Sequence, residues 1–359
     1  MPLRKTISSI QLLRFAAALS VVLAHVGELG KNYFAYSPAA YLPKLGNFGV
    51  SLFFIISGFI MVITAYGSAG SVRNSLAFLE RRIIRIVPLY WLATTLLIAI
   101  MVAAPSLVQK LRLGPWHTLA SFLFVPAFNN VQELTPLLNV GWTLNYEMYF
   151  YLLFAIGLLL PRRLMMPTLL VIFCASILGR ELLQPRNIYA LFYGDPYVSL
   201  FVMGMVVGLL VKGGRYLTSR TMLFLAMLWI AAGHYYVGIN LHPAWLWGPP
   251  CTLILWIMVS LEQAGQLAVP KWCVVLGDSS YSLYLTHSFV LAGSAKIILA
   301  PILAAYVGPV IFTVVLAGSA VLGGHAVYLG VERKLTVYLK KNALLSRPRA
   351  MAYSNKRAS

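Results

Sequence analysis

The sequence predicts an all-α integral membrane protein, a bundle of about ten transmembrane helices with both termini cytoplasmic. Of its 359 residues, 60% are hydrophobic and only 10% are charged. Apolar runs near the length of about 20 residues that a helix needs to cross a bilayer recur along the chain. Lys and Arg residues are concentrated in alternate connections between these runs. No stretch between the runs is long enough for a sizeable soluble domain.

The first apolar run is interpreted as a retained span, because Arg14 interrupts it and no small-residue cleavage pattern follows. The stretch 119–128 is too short to cross and contains Pro126, so we expect it to be re-entrant or interfacial. The predicted spans, in order, are 8–27, 47–66, 86–104, 141–160, 164–180, 190–211, 220–237, 244–261, 272–298 and 303–330.

The positive-inside rule sets the orientation of these spans. With an inside N-terminus, the inside segments hold most of the Lys and Arg residues, and seven lie outside. We therefore predict a transmembrane domain over 1–335 and a basic cytoplasmic tail over 336–359 that is disordered and lies against anionic lipid. The net charge of +19 follows from this topology, so nucleic-acid binding is disfavoured.

Two ionisable residues, Arg14 and His25, lie eleven positions apart within the first span. Helical geometry puts them about 20° apart around the axis and about 16 Å apart along it, on one face. A charge at membrane depth costs on the order of 3 kcal/mol on insertion scales, so such residues indicate a functional site. The pattern favours an enzyme that handles a long anionic ligand. The alternative for Arg14 is a side chain that snorkels to the inner headgroups.

Glu147, in the segment GWTLNYEMYFY, is expected about 9 Å below the outer surface by helical rise. His25 also falls in the outer half. A carboxylate beside an imidazole holds its tautomer and stabilises the imidazolium, which a general base requires. We therefore expect Glu147 to pair with His25. The alternative is a buried Glu that is hydrogen-bonded between helices.

A further polar segment, LGDSSYSLYLTHSFV, begins the ninth span. Tyr284 and His287 share a face by their spacing of three, whereas Asp278 lies nearly opposite His287. Asp278 and Ser279 are expected to cap the start of this span. His287 is either a second polar group of the outer-half site or a satisfied core histidine.

Three arginines, Arg81, Arg82 and Arg85, precede Pro88 at helical spacings of three and four. Such a fork suits phosphate recognition by charge-assisted donors. The alternative is an ordinary basic inside loop. Glu80 stands beside these arginines and is expected to pair with them.

Other chemistries lack sequence support. Cys174, Cys251 and Cys273 show neither a C-x-x-C pair nor metal-ligand spacing, so we expect packing residues and no metal site. Nor does the sequence contain a phosphate-binding or dinucleotide glycine fingerprint or a G-x-S-x-G elbow.

Five segments in order resemble the membrane-bound acyltransferase family 3, whose members acylate extracytoplasmic polysaccharides. They are Arg14 with His25 at an R-x10-H spacing, FGVSLFFIISGF from Phe48, the block RRIIRIVPLYW, WTLNYEMYFY from Trp142, and GDSSYSLYLTH from Gly277. Their wording is most similar to exopolysaccharide acetyltransferases of the succinoglycan type. The resemblance covers residues 8 to 287.

The resemblance implies transfer of an acyl group, most often acetyl, from cytoplasmic acetyl-CoA to a glycan hydroxyl at the bacterial inner membrane. The separation of about 16 Å between Arg14 and His25 matches an extended pantetheine arm. No permanently bound cofactor is expected, and the expected partners are acyl-CoA, a polysaccharide or lipid-linked oligosaccharide, and membrane lipids. The implied site residues are His25 and Glu147 for catalysis, Arg14, Arg82 and Arg85 for the donor, and Trp142, Asn145, Tyr284 and His287 in support.

Two other classes use embedded charges in multi-pass proteins. A transporter or flippase of lipid-linked sugars would use them as a substrate path, but the polar positions show no inverted repeat. A polysaccharide polymerase would carry a large outside loop with arginines. The longest outside loop here, 105–140, holds only Lys110 and Arg112.

Overall fold

The computed structural model describes residues 7–31, 34, 45–105, 108, 112–235, 241–294, 306 and 308–346. Within these ranges the chain is helical and has no strand. The α-helices are α1 (Ser8–Gly30), α2 (Leu45–Ala65), α3 (Val72–Ala103), α4 (Pro115–Phe122), α5 (Trp142–Gly157), α6 (Arg162–Leu183), α7 (Ile188–Tyr193), α8 (Tyr197–Lys212), α9 (Arg220–Tyr235), α10 (Pro243–Gln263), α11 (Lys271–Asp278), α12 (Ser280–Gly293), α13 (Pro309–Val327) and α14 (Arg333–Lys341). A π-helical turn, Tyr328–Glu332, connects α13 to α14.

Seven helical segments of the described chain are long and apolar enough to cross a membrane. The all-α membrane fold is thus confirmed, whereas the count of ten is not reached. Helices α5 and α9 have only 16 residues each. The expected ninth span is interrupted at Ser279, between α11 and α12, and its last residues lie outside the described ranges. The cytoplasmic location of both termini stays a prediction.

The stretch 119–128 does not form a span, as predicted. It contains the end of α4, a helix of eight residues, and then a turn in which Phe124 has a φ of 57°. The Tyr90 hydroxyl and the Trp91 indole of α3 donate hydrogen bonds of 3.0 and 2.9 Å to carbonyls of this stretch. Because these bonds satisfy backbone carbonyls at the helix end, the short segment is fixed against α3.

Helix α1 packs against α2, α10, α11, α12 and α13. Two glycines allow the close approach: a Cβ at Gly49 of α2 would clash with the Ala17 carbonyl, and one at Gly277 of α11 with the Gln11 carbonyl. Helices α2 and α8 cross in the same way through Gly58. The glycines of the segment FGVSLFFIISGF therefore serve helix packing.

Hydrogen bonds show which helix ends lie together. Glu262, at the end of α10, accepts bonds of 2.8 and 2.7 Å from the backbone N–H groups of Ser8 and Ser9, and so satisfies donors that the start of α1 leaves free. At the opposite end of α1, Asn47 of α2 is bonded to Tyr197 of α8. We call these the Ser8 end and the Gly30 end of the bundle.

Glu80 does not form the expected ion pairs with the neighbouring arginines. Its carboxylate instead accepts backbone N–H groups of residues 344–346 at 2.7 to 3.3 Å. Within the expected tail, 336–359, the residues up to Lys341 are helical. Residues 344–346 are then hydrogen-bonded to Glu80 of α3 at the Ser8 end. Residues 347–359 lie outside the described ranges.

Candidate active site

Three pockets follow one another along α1. The Gln11 pocket lies at the Ser8 end, the arginine pocket comes next, and the His25 pocket lies at the Gly30 end. Arg14 and Arg85 line both of the first two pockets, and Val50 and Tyr284 line both of the last two. The shared residues show that the three pockets adjoin one another, and we call this row of pockets, from Gln11 to Glu28, the path.

The arginine pocket brings together all three predicted phosphate ligands, Arg14, Arg82 and Arg85. Arg14 and Arg82 are only 8% and 9% exposed. Arg14 donates to Gln11 at 3.1 Å, and Arg82 lies over the rings of Phe78 and Tyr151 at 5.4 and 5.6 Å.

None of the ion pairs among the described residues includes one of these three guanidinium groups. The buried Nε of Arg82 also has no hydrogen-bond partner in this part of the chain. Buried charges are normally paired because desolvation is costly. The arginine pocket therefore has the chemistry of a site for an anion that carries more than one charge.

Glu147 faces the arginine pocket. Its Oε1 atom accepts hydrogen bonds from Ser57, at 2.9 Å, and from the hydroxyl of Tyr151. The structure does not bring Glu147 to His25, which lines the next pocket. The expected depth of Glu147 in its span stays a prediction, and the sequence did not predict the rotation of α5 that turns the carboxylate towards Ser57 of α2.

His25 is half-buried, and its Nδ1 atom lies 2.9 Å from the carbonyl oxygen of Val21. A carbonyl only accepts hydrogen bonds, so Nδ1 carries the proton and Nε2 of the neutral ring keeps a lone pair. The Val21 carbonyl, on the same helix as His25, therefore holds the tautomer of the imidazole, a role that we had expected for Glu147. His25 has the form of a general base.

His287 packs directly on His25, with ring centroids 4.8 Å apart in an edge-to-face arrangement. The ring is fully buried, and its Nδ1 atom lies 3.2 Å from the Leu283 carbonyl. The ring lines none of the three pockets, so contact with His25 and burial as a core histidine are both observed, and the two alternatives for His287 stay open. Tyr284 shares this face, with its ring centroid 6.2 Å from that of His287.

The hydroxyl of Tyr284 donates to the Val140 carbonyl at 2.9 Å and lies 2.7 Å from the hydroxyl of Thr143. The hydroxyl proton is already hydrogen-bonded, so we interpret Tyr284 as a structural residue that lines both the arginine pocket and the His25 pocket. Trp142 lines the His25 pocket, as expected for a supporting residue. Asn145 lines none of the three pockets; its side chain is buried, and its Oδ1 atom has no partner among the described residues.

Sequence reasoning missed two acidic residues that line the Gln11 pocket with Arg14, namely Asp278 and Glu332. Glu332 is buried and accepts a hydrogen bond from Ser282. The π-helical turn that places it has no Pro or other sequence signal, although such turns are frequent at functional sites. Asp278 ends α11 and does not cap α12, which begins without a side-chain cap.

Within the described ranges no group of three or more His, Cys, Asp or Glu residues could hold a metal ion. Cys251 and Cys273 are buried, in line with a packing role. Cys174 is exposed on α6, which differs from the expectation for a packing residue.

Comparison of the sequence with known proteins identifies the class of membrane protein to which the chain belongs. Residues 7–329 match the family described as "Acyltransferase domain", and the chain belongs to this family, as its motifs predicted. Among curated proteins it is similar to the "Exopolysaccharide production protein ExoZ" of Rhizobium meliloti (strain 1021), with 37% identity over 299 residues, 81% of this chain and 90% of the relative. No solved structure matches the chain.

Proposed function

We propose that this protein transfers an acyl group, acetyl in the first instance, from cytoplasmic acyl-CoA to a hydroxyl of an extracytoplasmic or lipid-linked polysaccharide. The observation that carries the proposal is the row of adjoining pockets from the arginine pocket to His25, over about 16 Å of helix. Family membership supports the acyl transfer. The name of the Rhizobium relative supports an exopolysaccharide as the acceptor.

The donor enters from the Ser8 end, which we assign to the cytoplasm. Arg333 and Lys340 of α14 line the Gln11 pocket there, in agreement with a basic inside surface. The phosphates of CoA bind the guanidinium groups of the arginine pocket, which offer planar, charge-assisted donors. The pantetheine arm then extends past Val50 and Tyr284, and the thioester lies beside His25.

The reaction uses the lone pair on Nε2 of His25. This nitrogen removes the proton from the glycan hydroxyl as the oxygen attacks the thioester carbonyl. The tetrahedral intermediate collapses with cleavage of the C–S bond, and the leaving thiolate takes the proton from the imidazolium. The products are a glycan ester and free CoA. The Val21 carbonyl stabilises the imidazolium through Nδ1–H, since this bond strengthens when the ring is charged.

We expect Glu147→Gln to lower the KM for acyl-CoA and to change kcat by less than about 10-fold. The amide still accepts hydrogen bonds from Ser57 and Tyr151, while the pocket loses a negative charge that opposes phosphate binding. Initial-rate kinetics with varied donor test this. A fall in kcat of about 10² or more at unchanged donor KM would restore Glu147 as the partner of His25.

Mass spectrometry of the cell's surface polysaccharide tests the proposed function. We expect polysaccharide from cells without the protein to lack one acyl unit per modified repeat, and a plasmid copy of the gene to restore it. An unchanged mass contradicts the proposal. CoA should also raise the melting temperature of the purified protein, whereas a flippase of lipid-linked sugars gains nothing from CoA.

A further inference from the structure

The His25 pocket differs in chemistry from the arginine pocket. Its described lining residues include no Lys or Arg, and its one carboxylate, Glu28, is paired with Lys31 at 2.8 Å. Apart from His25 and Tyr284, the remaining polar lining consists of the amides of Asn47 and Asn139 and the indole of Trp142. Amide and aromatic groups suit an uncharged, polyhydroxylated ligand, whereas a phosphate would require cations.

The amide of Asn47 has a defined orientation. The hydroxyl of Tyr197 donates to its Oδ1 atom at 3.4 Å. With Oδ1 engaged on this side, the two N–H donors of Nδ2 lie on the other edge of the amide. Asn47 and His25 line the same pocket, so these donors and the proposed general base can contact one ligand there.

Tyr197 is itself held by a network that joins three helices. Asp195 accepts the backbone N–H of Tyr197 at 3.0 Å and the guanidinium of Arg180 in α6 at 2.9 Å. His242, at the start of α10, lies 3.3 Å from the same carboxylate, and its ring packs on Tyr197 with centroids 4.9 Å apart. A side chain fixed from several helices orients a ligand group more rigidly than one on a loop.

Trp142 adds an aromatic surface beside this amide. Its ring packs on Tyr197 and Tyr146, with centroid distances of 5.3 and 6.0 Å. These contacts support one side of the indole while the residue lines the pocket. Aromatic walls with a few oriented polar groups are typical of small-molecule sites.

We propose that Asn47 and Trp142 form the subsite for the acceptor sugar, with Tyr197 as a positioning residue. The sugar ring packs on the indole, and the Asn47 amide donates a hydrogen bond to a sugar oxygen. This places the acceptor hydroxyl at Nε2 of His25. The proposal rests on the proposed function, since it assigns the second substrate of that same reaction.

The experiment measures initial rates with acetyl-CoA and, as acceptor, deacylated surface polysaccharide from a strain that lacks the protein. We expect Asn47→Ala and Trp142→Ala each to raise the KM for the acceptor by about 10-fold and to leave the KM for acetyl-CoA unchanged. Trp116→Ala is the matched control, because this tryptophan is exposed on α4 and lines none of the three pockets. It should leave both constants unchanged.

Tyr197→Phe tests the positioning role, because it removes only the hydroxyl that orients Asn47. We expect a rise of a few-fold in acceptor KM, and no additional rise when Tyr197→Phe is combined with Asn47→Ala. Additive effects would remove Tyr197 from this role. Protection from heat by CoA shows that each variant is folded, and Trp142→Phe replaces Trp142→Ala if that variant does not fold.

The outcomes distinguish this inference from the proposed function. If the wild-type protein transfers no acetyl group to the polysaccharide, either free or as its lipid-linked precursor, both fail. If it does transfer acetyl but the Asn47 and Trp142 variants keep a wild-type acceptor KM, or lose donor affinity instead, the acceptor subsite is wrong and the acyltransferase proposal stands.

Discussion

His25→Ala is expected to lower kcat by about 10² to 10⁴, the contribution of a positioned general base. The Val21 carbonyl holds the Nδ1–H tautomer, so the imidazole keeps a lone pair on Nε2 in the His25 pocket. Alanine has no group that accepts the hydroxyl proton. Removal of a polar group from a transmembrane helix does not oppose insertion, so the amount of membrane protein should be unchanged.

His325→Ala is the matched control for this prediction. His325 is an imidazole on α13 of the same bundle, and it lines none of the three pockets. We expect wild-type rates for this variant. Abundant His25→Ala protein with full transfer activity would exclude His25 from the mechanism.

Arg14→Gln and Arg82→Gln are each expected to raise the KM for acyl-CoA by roughly 10-fold or more, since a hydrogen bond to a charged group contributes about 1.5–3 kcal/mol. The phosphates bind far from the reacting carbonyl, so these contacts are equally strong in ground state and transition state. Loss of such uniform binding raises KM and leaves kcat nearly unchanged. The acceptor KM should not change, because the proposed acceptor subsite lies in the His25 pocket.

Arg81→Gln provides the control, since Arg81 is adjacent in sequence but exposed, and it lines none of the three pockets. It tests whether a general loss of positive charge at the Ser8 end is sufficient to weaken donor binding. An unchanged donor KM in both the Arg14 and the Arg82 variants would contradict the phosphate role. An equal rise in all three variants would assign it to long-range charge alone.

The parts of the site that lie on one helix could be predicted from the sequence. Arg14 and His25 share α1, so the geometry of a single helix fixes their separation and common face, and both line the path. The same holds for Arg82 and Arg85 on α3, which both line the arginine pocket. On α12 the spacing predicted the common face of Tyr284 and His287, of which only Tyr284 lines the path. The sequence spacing of each pair was sufficient because the distance and angle between two residues of one helix do not depend on how other helices pack.

Relations between helices could not be predicted in this way. Glu147 is bonded to Ser57 because of how α5 is rotated against α2, a property of packing that hydropathy does not encode. The break at Ser279 and the π-helical turn that buries Glu332 have no Pro or Gly-rich signal. Both features lie at the Ser8 end, where Asp278 and Glu332 line the Gln11 pocket.

Transfer across a sealed membrane tests the transmembrane path most directly. Inverted vesicles, with their cytoplasmic face outwards, would contain trapped deacylated polysaccharide and receive radiolabelled acetyl-CoA only from outside. We expect label on the trapped polysaccharide with the wild-type protein and none with His25→Ala. Label that appears only on polysaccharide added outside, on the same side as acetyl-CoA, would contradict a path through the bundle from the arginines to His25.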